Sequence, residues 1–316
     1  MNARRLFFPL LLSSLALFGS AACGDKNTGA PNTASGEASL DDALALLPGS
    51  AIGAGTVDAR AFFGSQTFGA DLAKLVEKYL PIGAEAGFQA SRDVDRVTFA
   101  SYSYQGLDVA AIVIGRFDSA KIKAFAAAQT PTKSGAPMVA SQYGGRDVYT
   151  VSNVGFTLLS DTRAVAGTEQ GIRRVLDRIK DKRVKRDLAP WMIATIETPG
   201  AALAAAGDFV SQPLPPEAQK QIPLPFMNGL KAARVVATFK DGVQIAGSLT
   251  YPEAASAETA SQSVKQTANL TKWLAVFGIK VNNIDIKVDK TDVQFSLGVD
   301  DQSLRQLLVA LPQWLG

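Results

Sequence analysis

Histidine is absent from this 316-residue chain, and Cys23 is its only cysteine. Those two facts remove Ser-His-Asp and Cys-His nucleophiles, the His-Glu-x-x-His zinc motif and any cluster of thiolate ligands. No phosphate-binding loop, Gly-x-Ser-x-Gly elbow, Ser-x-x-Lys motif or calcium-type Asp loop occurs. The chemistry left belongs to carboxylates, lysines and tyrosines, for which no short motif is diagnostic. The sequence therefore points away from an enzyme and gives no reason to expect a cofactor or a metal. Asp285, Asp289 and Asp292 suit the polar face and turn of a hairpin better than a cation site. Gly49, Gly53 and Gly55 have the wrong register for a dinucleotide loop and suit close backbone packing.

Two segments remain as candidates for binding. The first is a basic run from Arg173 to Arg186, containing Arg173, Arg174, Arg178, Lys180, Lys182, Arg183, Lys185 and Arg186 against only Asp177 and Asp181. It suits docking on anionic head groups or an acidic partner. It equally suits a solvated helix face whose cations offset the C-terminal dipole, followed by a polar linker. No aromatic side chain interleaves it, which disfavours single-stranded nucleic acid. The second is the Pro-rich stretch from Gln212 to Met227, whose density of proline forbids helix or ladder and predicts a long loop. Its apolar residues Leu214, Ile222, Leu224 and Phe226 form either a lid or partner-contacting surface, or fold back onto the core. Trp191, Trp273 and Trp314 read as core or core-edge side chains.

The N-terminus carries a different signal. Arg4 and Arg5 precede a nearly unbroken apolar stretch from Leu6 to Phe18, and Ser20-Ala21-Ala22 supplies small residues before Cys23. This is the layout of an export signal, too short for a spanning helix. The segment Ser20-Ala21-Ala22-Cys23-Gly24 resembles the lipobox of bacterial lipoprotein precursors, with Ser20 standing where such precursors usually carry Leu. The resemblance implies that residues 1–22 are removed and that the Cys23 thiol carries a palmitate-type acyl group. Ordinary cleavage after Ala22 would cut the same bond and leave the thiol bare. Gly24, rather than Asp, follows the cysteine, which by the same resemblance favours the outer membrane. Two or more acyl chains hold a protein stably on a bilayer, at about 0.8 kcal/mol per buried CH₂. Residues 24–39 (GDKNTGAPNTASGEAS) have the composition of a flexible tether, roughly 20–25 Å end to end.

The body follows. Removing residues 1–22 takes away Arg4 and Arg5 and no acid, leaving 30 basic and 29 acidic side chains. Such a near-neutral chain is not a nucleic-acid binder. Its hydrophobic pattern reads twice. Ile172, Val175, Leu176 and Ile179 mark one helix face, and Leu304, Leu307, Leu308 and Leu311 repeat that spacing 132 residues later. Thr168 and Asp300 are predicted caps for the two helices. Hairpins are predicted at 94–117 and 232–251, each followed by a helix (118–128, 253–277) and a further hairpin (147–160, 284–299). A short extra strand is expected at 163–167. Each half should open on a strand, 51–57 and 191–197, followed by a helix, around 72–80 and 201–210.

The prediction is an α+β fold of two tandem units, residues 40–182 and 183–316. Each reads β-α-β-β-α-β-β-α, a mainly antiparallel sheet with helices on one face. This element order, with Gly115-Arg116-Phe117-Asp118 leading into a helix, looks like that of some uncharacterised bacterial lipoproteins. The expected role is that of a non-catalytic envelope protein, held to the membrane by lipid, with its body in the periplasm or at the cell surface. Its partner would be another envelope protein. The alternative is a periplasmic carrier of lipid or another apolar ligand, with the Pro-rich stretch as its lid.

Overall fold

The computed structural model describes residues 40–80, 82–103, 108–212, 225–239, 242–274 and 280–315. Twelve strands form one antiparallel sheet: β1 (Gly53–Asp58), β2 (Val94–Ser103), β3 (Asp108–Gly115), β4 (Val139–Tyr143), β5 (Arg146–Val151), β6 (Val154–Ser160), β7 (Arg163–Thr168), β8 (Leu203–Asp208), β9 (Ala232–Phe239), β10 (Val243–Thr250), β11 (Val281–Asp289) and β12 (Asp292–Val299). Their spatial order is β11-β12-β10-β9-β8-β1-β2-β3-β7-β6-β5-β4. Outward from the β1–β8 seam, each side shows the same succession: opening strand, hairpin, then the two strands of a later hairpin in reversed order. β5 and β4 extend the first side alone. The seam is a five-residue antiparallel ladder from Gly53↔Gly207 to Val57↔Leu203. The α+β class is as expected, with the two units fused edge to edge in one sheet.

Nine α-helices lie among the described residues: α1 (Ala43–Leu46), α2 (Ala59–Phe63), α3 (Gly69–Tyr79), α4 (Ala90–Asp93), α5 (Ser119–Ala127), α6 (Glu169–Lys180), α7 (Pro190–Ile196), α8 (Ala254–Leu274) and α9 (Asp301–Leu315). Sheet register decides which face each one covers, because directly opposed residues point the same way. Ile112, Val165 and Thr157 are mutually opposed and lie under α6 with Leu46, Ile172, Val175, Leu176 and Ile196. Val113, Ala164 and Leu158 face the other way. That second face meets α2 and α4 through Ala59, Ala90 and Val94, and α5 through Ile122 and Phe125. Helices therefore cover both faces of the first half, where one face was expected. A seven-strand half exposes too much apolar surface on each side for one layer to cover.

Capping follows the sequence closely. Thr168 Oγ1 accepts from Gly171 N at 3.1 Å to start α6, and Asp300 Oδ1 accepts from Ser303 N at 2.8 Å to start α9. Asp118 does the same for α5 through Lys121 N at 3.0 Å. The backbone N–H bonds hold both Asp118 and Asp300 below the ordinary carboxylate range. These caps stabilise the fold above that range, and their contribution is lost as pH falls through the depressed values.

The opening of the second half differs from expectation. The predicted strand 191–197 is helix α7, started by Pro190 in its first turn. The predicted helix 201–210 is the central strand β8. Its run Leu203-Ala204-Ala205-Ala206 favours helix in isolation, but pairing with β1 and β9 on its two edges overrides propensity. β4 was not expected at all, since Val-Ala-Ser-Gln-Tyr has no apolar alternation. The long helices α6 and α9 also part company: α6 lies on β3 and β7, whereas α9 meets α3. There Thr67 donates to Asp301 at 3.1 Å and Arg305 to Asp71 at 2.8 Å.

Close approach of α6 to the sheet depends on Gly171. A Cβ there would stand 2.0 Å from the Val109 carbonyl oxygen. Gly171→Ala should force the helix outward and lower unfolding stability by about 1–3 kcal/mol, measured by denaturant melts.

Candidate functional site

The basic run occupies the corner where α6 ends, and the fold uses most of its charges. α6 closes with a left-handed turn: Arg183 N donates to the Arg178 carbonyl at 2.9 Å and Lys182 N to the Ile179 carbonyl at 3.1 Å. Lys182 holds φ +54°, the position usually taken by glycine. The chain then doubles back to Asp187, and the N-terminal segment carrying α1 lies against it.

Arg178 is the centre of this corner, with its side chain only 5 % exposed. Its guanidinium grips Asp187 with two bonds of 2.8 and 3.0 Å and donates through Nε to the Ala45 carbonyl at 2.9 Å. It also donates to the Lys185 carbonyl. One side chain thus ties together α6, the junction 181–189 and α1. Gly49 completes the contact, since a Cβ there would lie 2.1 Å from the Asp187 carbonyl oxygen. This overturns the solvated-face reading for Arg178.

The other arginines are also engaged. Arg186 pairs with Asp42 at 2.5 Å and Glu197 at 2.7 Å, and Asp42 in turn caps α1 through Leu44 N and Ala45 N. Hydrogen bonding to Asp42 is the main reason the Arg186 pKa is raised. Arg163 on β7 holds the same N-terminal segment through the Leu40 carbonyl at 2.9 Å and Asp41 at 2.5 Å. Arg173 pairs with Glu169 at 2.5 Å and lies 4.7 Å over the Tyr143 ring. Arg183 pairs with Asp181 at 2.8 Å.

Arg174 bonds Asp108 at 2.8 Å and sits 5.1 Å over the Tyr102 ring. Burial pushes the Tyr102 phenol well above its ordinary pKa. Among the described residues its hydroxyl, Asp108 Oδ1 and Arg174 Nε are buried without a hydrogen-bond partner. Tyr143 donates to Asp177 at 2.8 Å, and that bond is the first cause of its raised pKa. Both phenols therefore keep their protons at neutral pH. Lys180, Lys182 and Lys185 are exposed and have no ion pair among the described residues.

The Pro-rich candidate divides. Leu214, Ile222 and Leu224 lie outside the described residues. Phe226 is 3 % exposed and packs with Leu230, Leu249, Ala257 and Phe295. Tyr251 donates its hydroxyl to the Phe226 carbonyl at 2.5 Å. Phe226 is a core residue here, and its proposed role in a lid or contact surface falls. Cys23 also lies outside the described residues. Trp191 is half-buried beneath Arg234, whose guanidinium is 5.2 Å from the ring. Among the described residues no group of three acids, Cys or His could hold a metal ion, and no helix is long and apolar enough to cross a membrane.

Sequence reasoning missed Asp187, Asp42, Arg163, Tyr102 and Asp108. Asp187 had a usable signal, an acid just beyond a helix whose apolar stripe at 172, 175, 176 and 179 brackets Arg178. The others enter through contacts spanning 66 to 144 residues of sequence and leave no local trace.

No family model and no curated protein matches this chain. Solved structures do. TP0453 in crystal form I aligns with a TM-score of 0.54 at 12 % identity, covering 87 % of this chain and 98 % of that one. Crystal form III gives 0.51 at 11 % identity, covering 85 % and 98 %. At that identity the likeness concerns the fold alone.

Arg178→Ala should leave Asp187 and two carbonyls without their donor and cost about 3–5 kcal/mol in thermal or denaturant unfolding. Arg173→Ala, which breaks an exposed pair, should cost under about 1 kcal/mol. Lys182→Gly should instead raise stability by up to about 1 kcal/mol, by relieving the left-handed turn.

Proposed function

We propose that this chain is a lipid-anchored cell-envelope protein that acts by presenting its surface to another envelope component, without bond chemistry of its own. The export signal ending at Cys23 and the tether of residues 24–39 support the anchor. The observation that carries the reading is the treatment of the tether's far end. Leu40, Asp41, Asp42 and Ala45 are bonded by Arg163, Arg186 and Arg178, so the tether joins the body at a rigid corner. Force or orientation imposed by a membrane anchor would pass directly into α6 and the sheet. Exposed Lys180, Lys182 and Lys185 belong to the same corner and suit an anionic leaflet, at about 1 kcal/mol each near the surface.

A binding role fits the acids better than catalysis does. Asp108 and Asp187 are each bonded to an arginine, so both carboxylates are committed to holding the fold together. The proposed location is the outer membrane, with the body in the periplasm or at the surface. In cells, Cys23→Ser should move the protein from the membrane fraction to the soluble fraction, and mass spectrometry of the wild-type N-terminal peptide should find acyl chains on Cys23. Unchanged membrane association with a bare thiol would refute the anchor.

A further inference from the structure

The two ends of the twelve-strand sheet are protected very differently. β11 at one end is interrupted by a bulge between Asn282 and Asp285, has Asn283 at φ +53°, and carries Asp285, Lys287 and Asp289. Bulges and edge charges are the usual devices that prevent strands from adding to an open edge. β4 at the other end has none of them. Its sequence is Val-Ala-Ser-Gln-Tyr, without charge or proline, and residues 139–142 are exposed. Val139 is 50 % exposed. Among the described residues β4 pairs only with β5, so one row of its backbone donors and acceptors has no strand partner. The strand is nevertheless held in place. Gly144 and Gly145, both at positive φ, form the turn to β5, and Tyr143 is fastened to α6 through Asp177.

We propose that β4 is a self-association edge, which pairs antiparallel with β4 of a second copy of this chain and joins two sheets into one. The register is fixed by which way the side chains point. Val139, Ser141 and Tyr143 oppose Thr150, Val148 and Arg146 and share one face; Ala140 and Gln142 share the other. Directly opposed residues must share a face, so a twofold axis has to pass through a residue and not between two. Centring it on Ser141 pairs the whole strand. Val139 then lies opposite Tyr143 of the second copy, Ala140 opposite Gln142, and Ser141 opposite Ser141. No charge meets a like charge, and exposed Val139 gains an aromatic neighbour.

A second copy is favoured over the chain's own tether because residues 24–39 contain three Gly, two Asn and a Pro, which strands disfavour. The molecule already uses such a joint, since its two halves meet through the five-residue antiparallel ladder of β1 and β8. Pairing through one short strand is a small interface, so association should be weak and concentration-dependent. It does not depend on the lipid anchor.

The test uses the full mature chain carrying Cys23→Ser. Light scattering over roughly 1 µM to 1 mM should show the mass rising from one chain towards two. Ser141→Lys, which sets two lysines face to face, should shift that midpoint upward at least tenfold without changing the thermal melt. Ser141→Cys places two thiols on opposed residues with Cα atoms about 4.5–5.5 Å apart, within disulfide reach. Ala140→Cys leaves its equivalents about 8 Å apart, beyond it. Mild oxidation should therefore link Ser141→Cys into a dimer much faster than Ala140→Cys. A wild-type mass of one chain throughout, an unshifted midpoint in Ser141→Lys, or crosslinking of Ser141→Cys no faster than Ala140→Cys would each overturn the proposal.

Discussion

A buried guanidinium governs how this molecule is assembled. An arginine taken out of water costs several kcal/mol unless its donors and its charge are answered locally. Arg178 meets that demand with one carboxylate and two carbonyls drawn from two other stretches of chain, the junction 181–189 and the N-terminal segment. The consequence runs in both directions: the charge is tolerated because those stretches converge, and they converge because the charge requires them. The N-terminal segment, the end of α6 and the junction between the two halves become one corner. Arg186 and Arg163 extend the same fastening to Asp42 and Asp41. What looks in the sequence like a field of spare positive charge is largely internal bonding.

That corner sits beside a sheet with its own logic. The strand succession outward from the β1–β8 seam is the same on both sides, yet the helices do not repeat so faithfully. α6 covers β3 and β7 in the first half, while α9 reaches across to α3. The outer face of β10, β12 and β11 is accordingly polar, with Gln244, Ser248, Ser296, Gln294, Asp285 and Lys287 on it. The first half carries apolar clusters on both faces of its sheet, and the second carries its main one under α8. A twofold strand plan thus supports two halves with different surfaces.

Local physics was legible where it acts over a few residues. Thr168, Asp118 and Asp300 read as caps because a side-chain oxygen followed by an amphipathic run has few other uses, and all three cap. The hairpins at β2–β3, β9–β10 and β11–β12 were visible in their alternation and turn residues. Legibility ended where long-range partners decide. Ala204 to Ala206 look helical until two neighbouring strands are available to bond them. Trp191 to Ile196 look like a strand unless Pro190 is weighed as a first-turn residue. Phe226 was grouped with the proline-rich run, although its neighbours Leu249 and Phe295 lie on strands 23 and 69 residues away. The basic run was read as a face because charge is visible in sequence and its partners are not.

If Arg178 organises the corner through Asp187, the two side chains must be energetically coupled well beyond an exposed ion pair. A double-mutant cycle of Arg178→Met and Asp187→Asn, followed by denaturant unfolding of each species, measures that coupling directly. The account requires an interaction energy of about 2–3 kcal/mol, with the double variant far less damaged than the sum of the single ones. A value near zero would mean that the Arg178–Asp187 pair does not hold the corner together, and the clamp would not exist.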